Sequence, residues 1–145
     1  MKRIISLSFF VIFFTLLQPT SFAADKKPGT DPAELWDYIK TVSPYSEWKQ
    51  WLEHQGMQPG KAPHGPKHKI FINDILADAT SVPVPYGSIQ IKENYTNSGK
   101  LAAITVMVKV KGYNPEAGDW FWAKYTRKGR ANPFGKPEGC INCHK

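Results

Sequence analysis

The sequence predicts an α+β fold, mainly antiparallel β, with two N-terminal helices followed by a sheet of about four or five strands. Helix caps and apolar side chains at helical spacing occur in residues 30–56. Alternation with a period of two begins near residue 69, and the connections between the alternating segments are short. Short connections join antiparallel neighbours, because a parallel crossover needs a dozen or more residues.

The first helix is predicted over residues 30–42, TDPAELWDYIKTV. Asp31 is a good N-cap, and Glu34 completes a capping box with it. A second helix is predicted over residues 43–56, SPYSEWKQWLEHQG, with Ser43 as its cap. The aromatic side chains of both helices are expected to pack in the core.

Four alternating segments are predicted to be strands, separated by stretches rich in Gly, Pro and Asn. They are KIFIND (69–74), SIQIKENY (88–95), LAAITVMVKVKG (101–112) and DWFWAKYT (119–126). The segments TNSG (96–99) and YNPEAG (113–118) are tight links between neighbouring strands.

The N-terminal stretch predicts a secretory signal over residues 1–23. It has Lys2 and Arg3, then an apolar run from Ile4 to Leu17, then small residues around Ala23. An uncleaved membrane anchor is the alternative, although the apolar run is shorter than the roughly 20 residues of a bilayer span. We expect cleavage after Ala23, one domain over residues 24–145, and a periplasmic or secreted location.

The charge balance is mildly basic. Without the predicted signal the chain keeps 17 basic residues against 12 acidic ones, a net charge of +5. That balance suits an acidic redox partner or an anionic surface. A dense Arg/Lys cluster and a nucleic-acid motif are both missing, so nucleic-acid binding is not expected.

The two cysteines of the chain lie in the motif C-x-x-C-H, formed by Cys140, Cys143 and His144. This is the attachment signature of haem c: two thiols form thioethers with the porphyrin, and the histidine ligates the iron. A structural disulfide would close a very small loop and stabilise little. A zinc site needs about four ligands, and a thioredoxin-like pair belongs near a βαβ unit. The sequence therefore predicts one haem c per chain with His144 as the iron ligand.

Four blocks in a fixed order carry a family resemblance: KAPHGPKHKIFIN (61–73), YGSIQIKENY (86–95), AITVMVKVKGYNPEAGDWFWAKY (103–125) and GCINCHK (139–145). On these blocks the chain resembles the cytochrome P-460 family, which includes the cytochromes c′-beta. The resemblance implies a mainly antiparallel β fold, a homodimer, and a five-coordinate haem with His144 as the only protein ligand. The other side of the iron is then open to a small molecule.

The resemblance also implies roles for two strand positions. In the enzymatic members a strand lysine is covalently bonded to the porphyrin, and Lys92 stands at the matching place. A lysine that simply faces water is the alternative, because Lys92 alternates with apolar neighbours. Those members oxidise hydroxylamine with a distal carboxylate, whose position falls near Ile104, between Ala103 and Thr105. An aliphatic side chain cannot act as a general base, so the expected acid is missing.

Other candidate residues come from the histidines and methionines. His68 aligns where the family places a basic distal residue, which makes His68 and Lys92 the candidate catalytic residues, with an exposed histidine as the alternative. His64 and His54 are weaker candidates. Met107 is a possible iron ligand on a strand, although core packing is the expected role of such a residue.

Three functions follow from these observations. The first is a c′-beta-like haem protein that binds nitric oxide opposite His144. The second is an oxidoreductase acting on hydroxylamine or nitric oxide, with Lys92 tuning the haem and His68 replacing the missing acid. The third is a plain electron carrier with a six-coordinate iron that uses Met107, Met57 or a histidine.

Overall fold

The computed structural model of the chain describes residues 27–144, and the predicted signal over residues 1–23 lies outside them. The described part is an antiparallel sheet of seven strands with short helices on its faces and edges. The strands are β1 Lys49–Gln50, β2 Gln58–Pro59, β3 Lys67–Ile72, β4 Ile89–Tyr95, β5 Leu101–Lys109, β6 Trp120–Tyr125 and β7 Ala131–Gly135. The α-helices are α1 Pro32–Asp37, α2 Asp74–Ala77 and α3 Glu138–His144. No helix in this described range is long and apolar enough to cross a bilayer.

The sheet is a meander in which two short strands together form one edge. β3 to β7 lie side by side in chain order, and both β1 and β2 pair with the outer edge of β3. The four predicted strands form the centre of the sheet, which confirms the predicted fold class. The sheet is larger than predicted, because β1, β2 and β7 add three short strands to its edges.

The first helix forms as predicted. The Asp31 carboxylate accepts hydrogen bonds from the backbone N–H groups of Ala33 and Glu34, at 2.7 and 2.9 Å. α1 continues without a break into a π-helical turn, Tyr38–Val42. The apolar stripe expected on this helix consists of Leu35, Ile39 and Val42. Leu35 and Ile39 are fully buried in the core cluster, whereas Val42 is 60% exposed.

The predicted second helix over residues 43–56 is wrong. That segment forms two 3₁₀ turns, Tyr45–Glu47 and Leu52–His54, with β1 between them. The backbone is extended at Trp48, because the next two residues pair with β3. Ser43 does not cap a helix here; its hydroxyl accepts a 2.9 Å hydrogen bond from the Trp48 indole. Pairing with the sheet therefore outweighs the local helix signals.

Strand alternation separates two faces of the sheet. One face, here called the core face, packs against α1 and forms the larger hydrophobic cluster. From β4, β5 and β6 the core face takes Ile89, Ile91, Ile104, Val106, Val108, Phe121, Ala123 and Tyr125. The alternate residues of the same strands point to the opposite face, here called the cleft face.

Candidate functional site

A cleft of about 410 Å³ lies on the cleft face, and its lining is mostly apolar. This volume falls in the usual range for ligand pockets, roughly 300–1,000 Å³. Strands β4, β5 and β6, the loop at residues 61–66 and the C-terminal helix α3 all contribute to the lining. From the strands the lining residues include Gln90, Lys92, Asn94, Ala103, Thr105, Met107, Trp122 and Lys124.

Helix α3 brings the three residues of the C-x-x-C-H motif to this cleft. Cys140, Cys143 and His144 are spaced i, i+3 and i+4, so a helical backbone places them on one face. All three line the cleft, and both thiols are free. No secondary structure was predicted for this segment. The helix explains why the motif needs its spacing.

Partial shielding from water shifts the pKa values of two motif residues, His144 and Cys140. Burial lowers the pKa of His144, and the positive charge of Lys92 lowers it further. Burial raises the pKa of the Cys140 thiol, and the neighbouring Cys143 adds to this effect. The imidazole is therefore held in its neutral form, which is the form that ligates metals.

The loop at residues 61–66 carries His64 to the cleft. A 2.7 Å hydrogen bond from Gly60 N–H to the Pro66 carbonyl closes the base of the loop. A Cβ at Gly60 would clash with the Gly65 carbonyl oxygen, so only glycine fits there. Gly65 has φ of 84° and lies against the Tyr95 carbonyl. His64 was a weaker candidate than His68 from the sequence alone, although Gly60 and Gly65 are the sequence signal of this tight loop.

His64 lies directly against the motif histidine. The ring centroids of His64 and His144 are 6.1 Å apart, and the ring planes are nearly perpendicular at 88°. Burial lowers the pKa of His64 to about 4, with the charges of Lys92 and His144 as smaller causes, while the Asn94 amide opposes the shift. His64 is therefore a neutral imidazole at neutral pH.

Lys92 lines the cleft and is only partly exposed. It pairs in register with Thr105 of β5, whose side chain lies on the same face. Burial lowers the pKa of Lys92. A covalent bond to a cofactor requires a lysine inside the cleft, whereas a lysine that simply faces water does not. The bond itself stays a prediction.

The expected carboxylate position is not in the cleft. Ile104 points to the core face, where its side chain is 2% exposed. The cleft positions of β5 are Ala103, Thr105 and Met107, and none is acidic. Indeed, no Asp or Glu from the described residues 27–144 lines the cleft. Met107, expected in the core, lies in the cleft beside Gln90 and Trp122.

His68 lies beyond the cleft on β3, in register with Asn94. Its ring is 6.0 Å from that of His54, and neither ring nitrogen finds a hydrogen-bond partner within the described residues. Burial lowers the pKa of His68, and Lys92 adds to this. The expectation of an exposed histidine is wrong, because only 5% of His68 is exposed. It is not one of the lining residues, and its proposed role as a distal residue stays a prediction.

These residues fit a haem c. The two free thiols and the neutral imidazole lie on one side of a mostly apolar cleft, as two thioethers and one iron ligand require. Trp122 contributes a buried indole N–H that has no partner in the part of the chain described. Lys92 and Lys124 supply positive charge to a cleft that would hold the carboxylates of a haem.

Fold and site together define a haem c protein built on an antiparallel sheet. The sequence profile named cytochrome P460 matches residues 43–145. That match covers most of the chain, so the chain belongs to the cytochrome P460 family. It is accordingly a haem c protein of the c′-beta/P460 type, with iron as its metal. No curated protein matches the chain significantly.

Proposed function

We propose that the protein is an exported mono-haem c cytochrome of the c′-beta kind, which binds small uncharged nitrogen ligands such as nitric oxide. The main supporting observation is the cleft, in which Cys140, Cys143 and His144 lie beside a mostly apolar face of the sheet. We infer a five-coordinate iron with His144 as its only protein ligand, and a bound haem would supply the metal that takes up the small molecule. A mostly apolar pocket favours uncharged ligands and limits water at the iron.

The residues that line the cleft have separate roles in this proposal. Cys140 and Cys143 hold the porphyrin covalently, so the cofactor cannot leave a small exported protein. His144 binds the iron from α3. Thr105, Met107 and Trp122 form the sheet wall of the cleft and exclude water from it.

Rapid mixing of the ferrous holoprotein with nitric oxide tests this function. We expect a shift of the Soret band that saturates at one nitric oxide per haem. The same mixing with azide, an anion, is expected to give a much weaker response in the ferrous protein. An unchanged spectrum with nitric oxide would contradict the proposal.

The second candidate is an oxidoreductase that converts hydroxylamine or nitric oxide with a lysine-modified haem. The position of Lys92 inside the cleft favours it, whereas the missing carboxylate does not. The denatured haemochrome spectrum tests the lysine bond: a modified haem differs from an ordinary haem c, and the variant Lys92→Met restores the ordinary spectrum. Lys124→Met, which changes the other cleft lysine, is the matched control. Hydroxylamine turnover no faster than that of free haem would exclude the enzyme.

The proposal also includes export, dimerisation and a redox partner. We infer cleavage after Ala23, a periplasmic or secreted location, a homodimer, and an acidic redox partner attracted by the net charge of +5. Intact-mass measurement of the exported protein, sedimentation, and the salt dependence of electron transfer test these in turn. A chain that still begins at Met1, or a monomer at micromolar concentration, would contradict the corresponding part.

A further inference from the structure

The net positive charge of the chain is concentrated in one segment. Residues 120–137 contain five basic residues and no acidic one. The predicted mature chain has 17 basic and 12 acidic residues, so the rest of it has 12 of each and a net charge of zero. The five residues, here called the basic strip, are Lys124, Arg127, Lys128, Arg130 and Lys136.

The basic strip surrounds one edge of the sheet. Lys124 lies on β6, three strip residues lie in or beside the turn between β6 and β7, and Lys136 follows β7. β7 pairs with β6 on one side and is the last strand of the sheet. All five residues are exposed, and none of them forms an ion pair within the described part of the chain. Their charges are therefore available to a partner.

The basic strip begins at the place where the haem would be attached. Lys124 and Cys140 both line the cleft. Burial raises the pKa of the Cys140 thiol and the charge of Lys124 opposes this shift, because the two side chains lie close together. Pro133 of β7 and Pro137 also line the cleft. A protein bound to the strip would therefore lie beside the attachment side of the cleft.

The edge strand also exposes an aromatic side chain. Phe134 is 53% exposed, and its register with Ala123 places it on the core-face side of the edge. Aromatic and arginine side chains are enriched at protein interfaces, where they supply much of the binding energy. Pro133 has no backbone N–H to offer, and charged side chains on an edge oppose the addition of another strand. The edge therefore suits docking through side chains.

The charge of the edge selects the kind of partner. A two-fold contact between copies of this chain would place the basic strip against itself, and like charges at an interface repel each other. A surface rich in carboxylates has the opposite charge. Arg127 and Arg130 suit it because a guanidinium binds a carboxylate through two parallel hydrogen bonds.

We propose that the basic strip docks an acidic electron-transfer protein beside the attachment side of the haem cleft. This inference deepens the proposed function, on which it rests for the haem, by naming the docking surface and the class of partner. The step is a single electron transfer: the reduced partner loses one electron and the ferric haem gains it. No bond is made or broken in this step.

Electron-transfer kinetics test the docking surface in the holoprotein. The probe is a reduced acidic flavodoxin, mixed rapidly with the ferric protein at increasing salt concentration. We expect a wild-type rate that falls with salt, because salt screens the attraction between the two proteins. Arg127→Gln/Lys128→Gln/Arg130→Gln is expected to react about fivefold more slowly or worse at low salt, and to approach the wild-type rate at high salt.

The matched control removes the same number of charges at the opposite edge of the sheet. In Lys49→Gln/Lys61→Gln/Lys67→Gln we expect the rate to fall by less than about twofold, because the changes lie on β1, β3 and the loop before β3. An equal loss of rate in both triple variants would overturn the proposal, because the net charge alone would then explain the attraction. A strip variant as fast as the wild-type protein would overturn it as well.

Cross-linking locates the contact without relying on electron transfer. A carbodiimide joins lysine amines to carboxylates of the bound flavodoxin, and mass spectrometry identifies the lysines that react. We expect the cross-links at Lys124, Lys128 and Lys136. Cross-links that fall mainly at Lys49 or Lys61 would overturn the proposal.

Two further measurements test other occupants of the strip. A wild-type dimer that becomes a monomer when the three strip residues are changed to glutamine would assign the strip to a second copy and overturn the proposal. Binding to vesicles rich in phosphatidylserine, without any cross-link to flavodoxin, would assign it to a membrane surface and also overturn the proposal. A ferrous protein that binds no nitric oxide, with the strip effects intact, would instead contradict the proposed function and leave the docking surface standing.

Discussion

The core face and the cleft face of the sheet are built by the same strands and follow different rules. On β5, the core-face residues Ile104 and Val106 are 2% and 1% exposed, whereas Thr105 between them lines the cleft. On β4, Ile91 is fully buried in the core cluster and its neighbour Lys92 faces the cleft. Alternation with a period of two therefore separates the residues of the hydrophobic core from those that line the cleft.

Placing a carboxylate on the core face is expected to have the largest effect on the free energy of unfolding. Ile104→Asp places a carboxylate in the core without a partner, and we expect a loss of about 4 kcal/mol or more, enough to unfold most of the protein. Ala103→Asp makes the same chemical change on the cleft side, where the side chain is partly exposed. We expect it to cost less than about 1 kcal/mol. Urea unfolding compares the two variants, and equal losses would contradict the assignment of faces.

Removing both thiols is expected to abolish haem attachment at the cleft without unfolding the protein. In Cys140→Ser/Cys143→Ser we expect a folded protein with no covalently attached haem, because a serine hydroxyl does not form a thioether. The measurement is the intact mass of protein matured in a host with haem c assembly machinery. Asn142→Ser, an exposed change on the same helix, is the control and keeps its haem. Covalent haem on the double variant would disprove the attachment role.

Truncating a core side chain of α1 tests whether a change on the core face affects the cleft face. Leu35 is fully buried between α1 and the core face, so Leu35→Ala is expected to cost about 3 kcal/mol. The haem spectrum stays unchanged, because the side chain lies on the far side of the sheet from the cleft. Thr41→Ala, an exposed change in the π turn, is the control for stability. A spectral shift in Leu35→Ala would show that the faces are coupled.

The smallest expected effect lies at the hairpin between β5 and β6. Burial acts to raise the pKa of Asp119, but N–H donors from Gly112 and Asn114 and the Tyr86 hydroxyl outweigh it and hold this pKa below its ordinary value. The unfolded chain therefore binds the proton more readily. The stabilisation is complete above the ordinary carboxyl pKa and is lost as pH falls through the lowered value.

Urea midpoints between roughly pH 7 and pH 3, compared with Asp119→Asn, measure this contribution. Asn suits the left-handed backbone at this position, where φ is 61°. We expect the wild-type protein to lose its advantage over the variant in acid, with no change in the haem spectrum. A constant difference at every pH would contradict the role of the charge.

The sequence predicted the parts of the fold that rest on local patterns. The four central strands and the Asp31 cap follow from alternation and capping, and the structure confirms them. β1 and β2 have two residues each and exist only because β3 offers its edge, so no local pattern marks them. The same pairing explains why the helix predicted over residues 43–56 does not form.

The site was predictable where chemistry fixes the spacing. Cys140, Cys143 and His144 follow from their motif, since two thioethers and one ligand require that order. The place of His64 was not predictable, because it depends on a loop that folds back over the sheet to a helix about 80 residues later. His68 was preferred by resemblance, but it lies on β3, one strand beyond Asn94 of the cleft lining.

The mass of the mature holoprotein, measured after unfolding in acid, tests the central claim most directly. We expect one haem per chain that stays attached through Cys140 and Cys143 when the protein unfolds. A chain that is recovered without a haem, from a host with working haem c assembly, would contradict it.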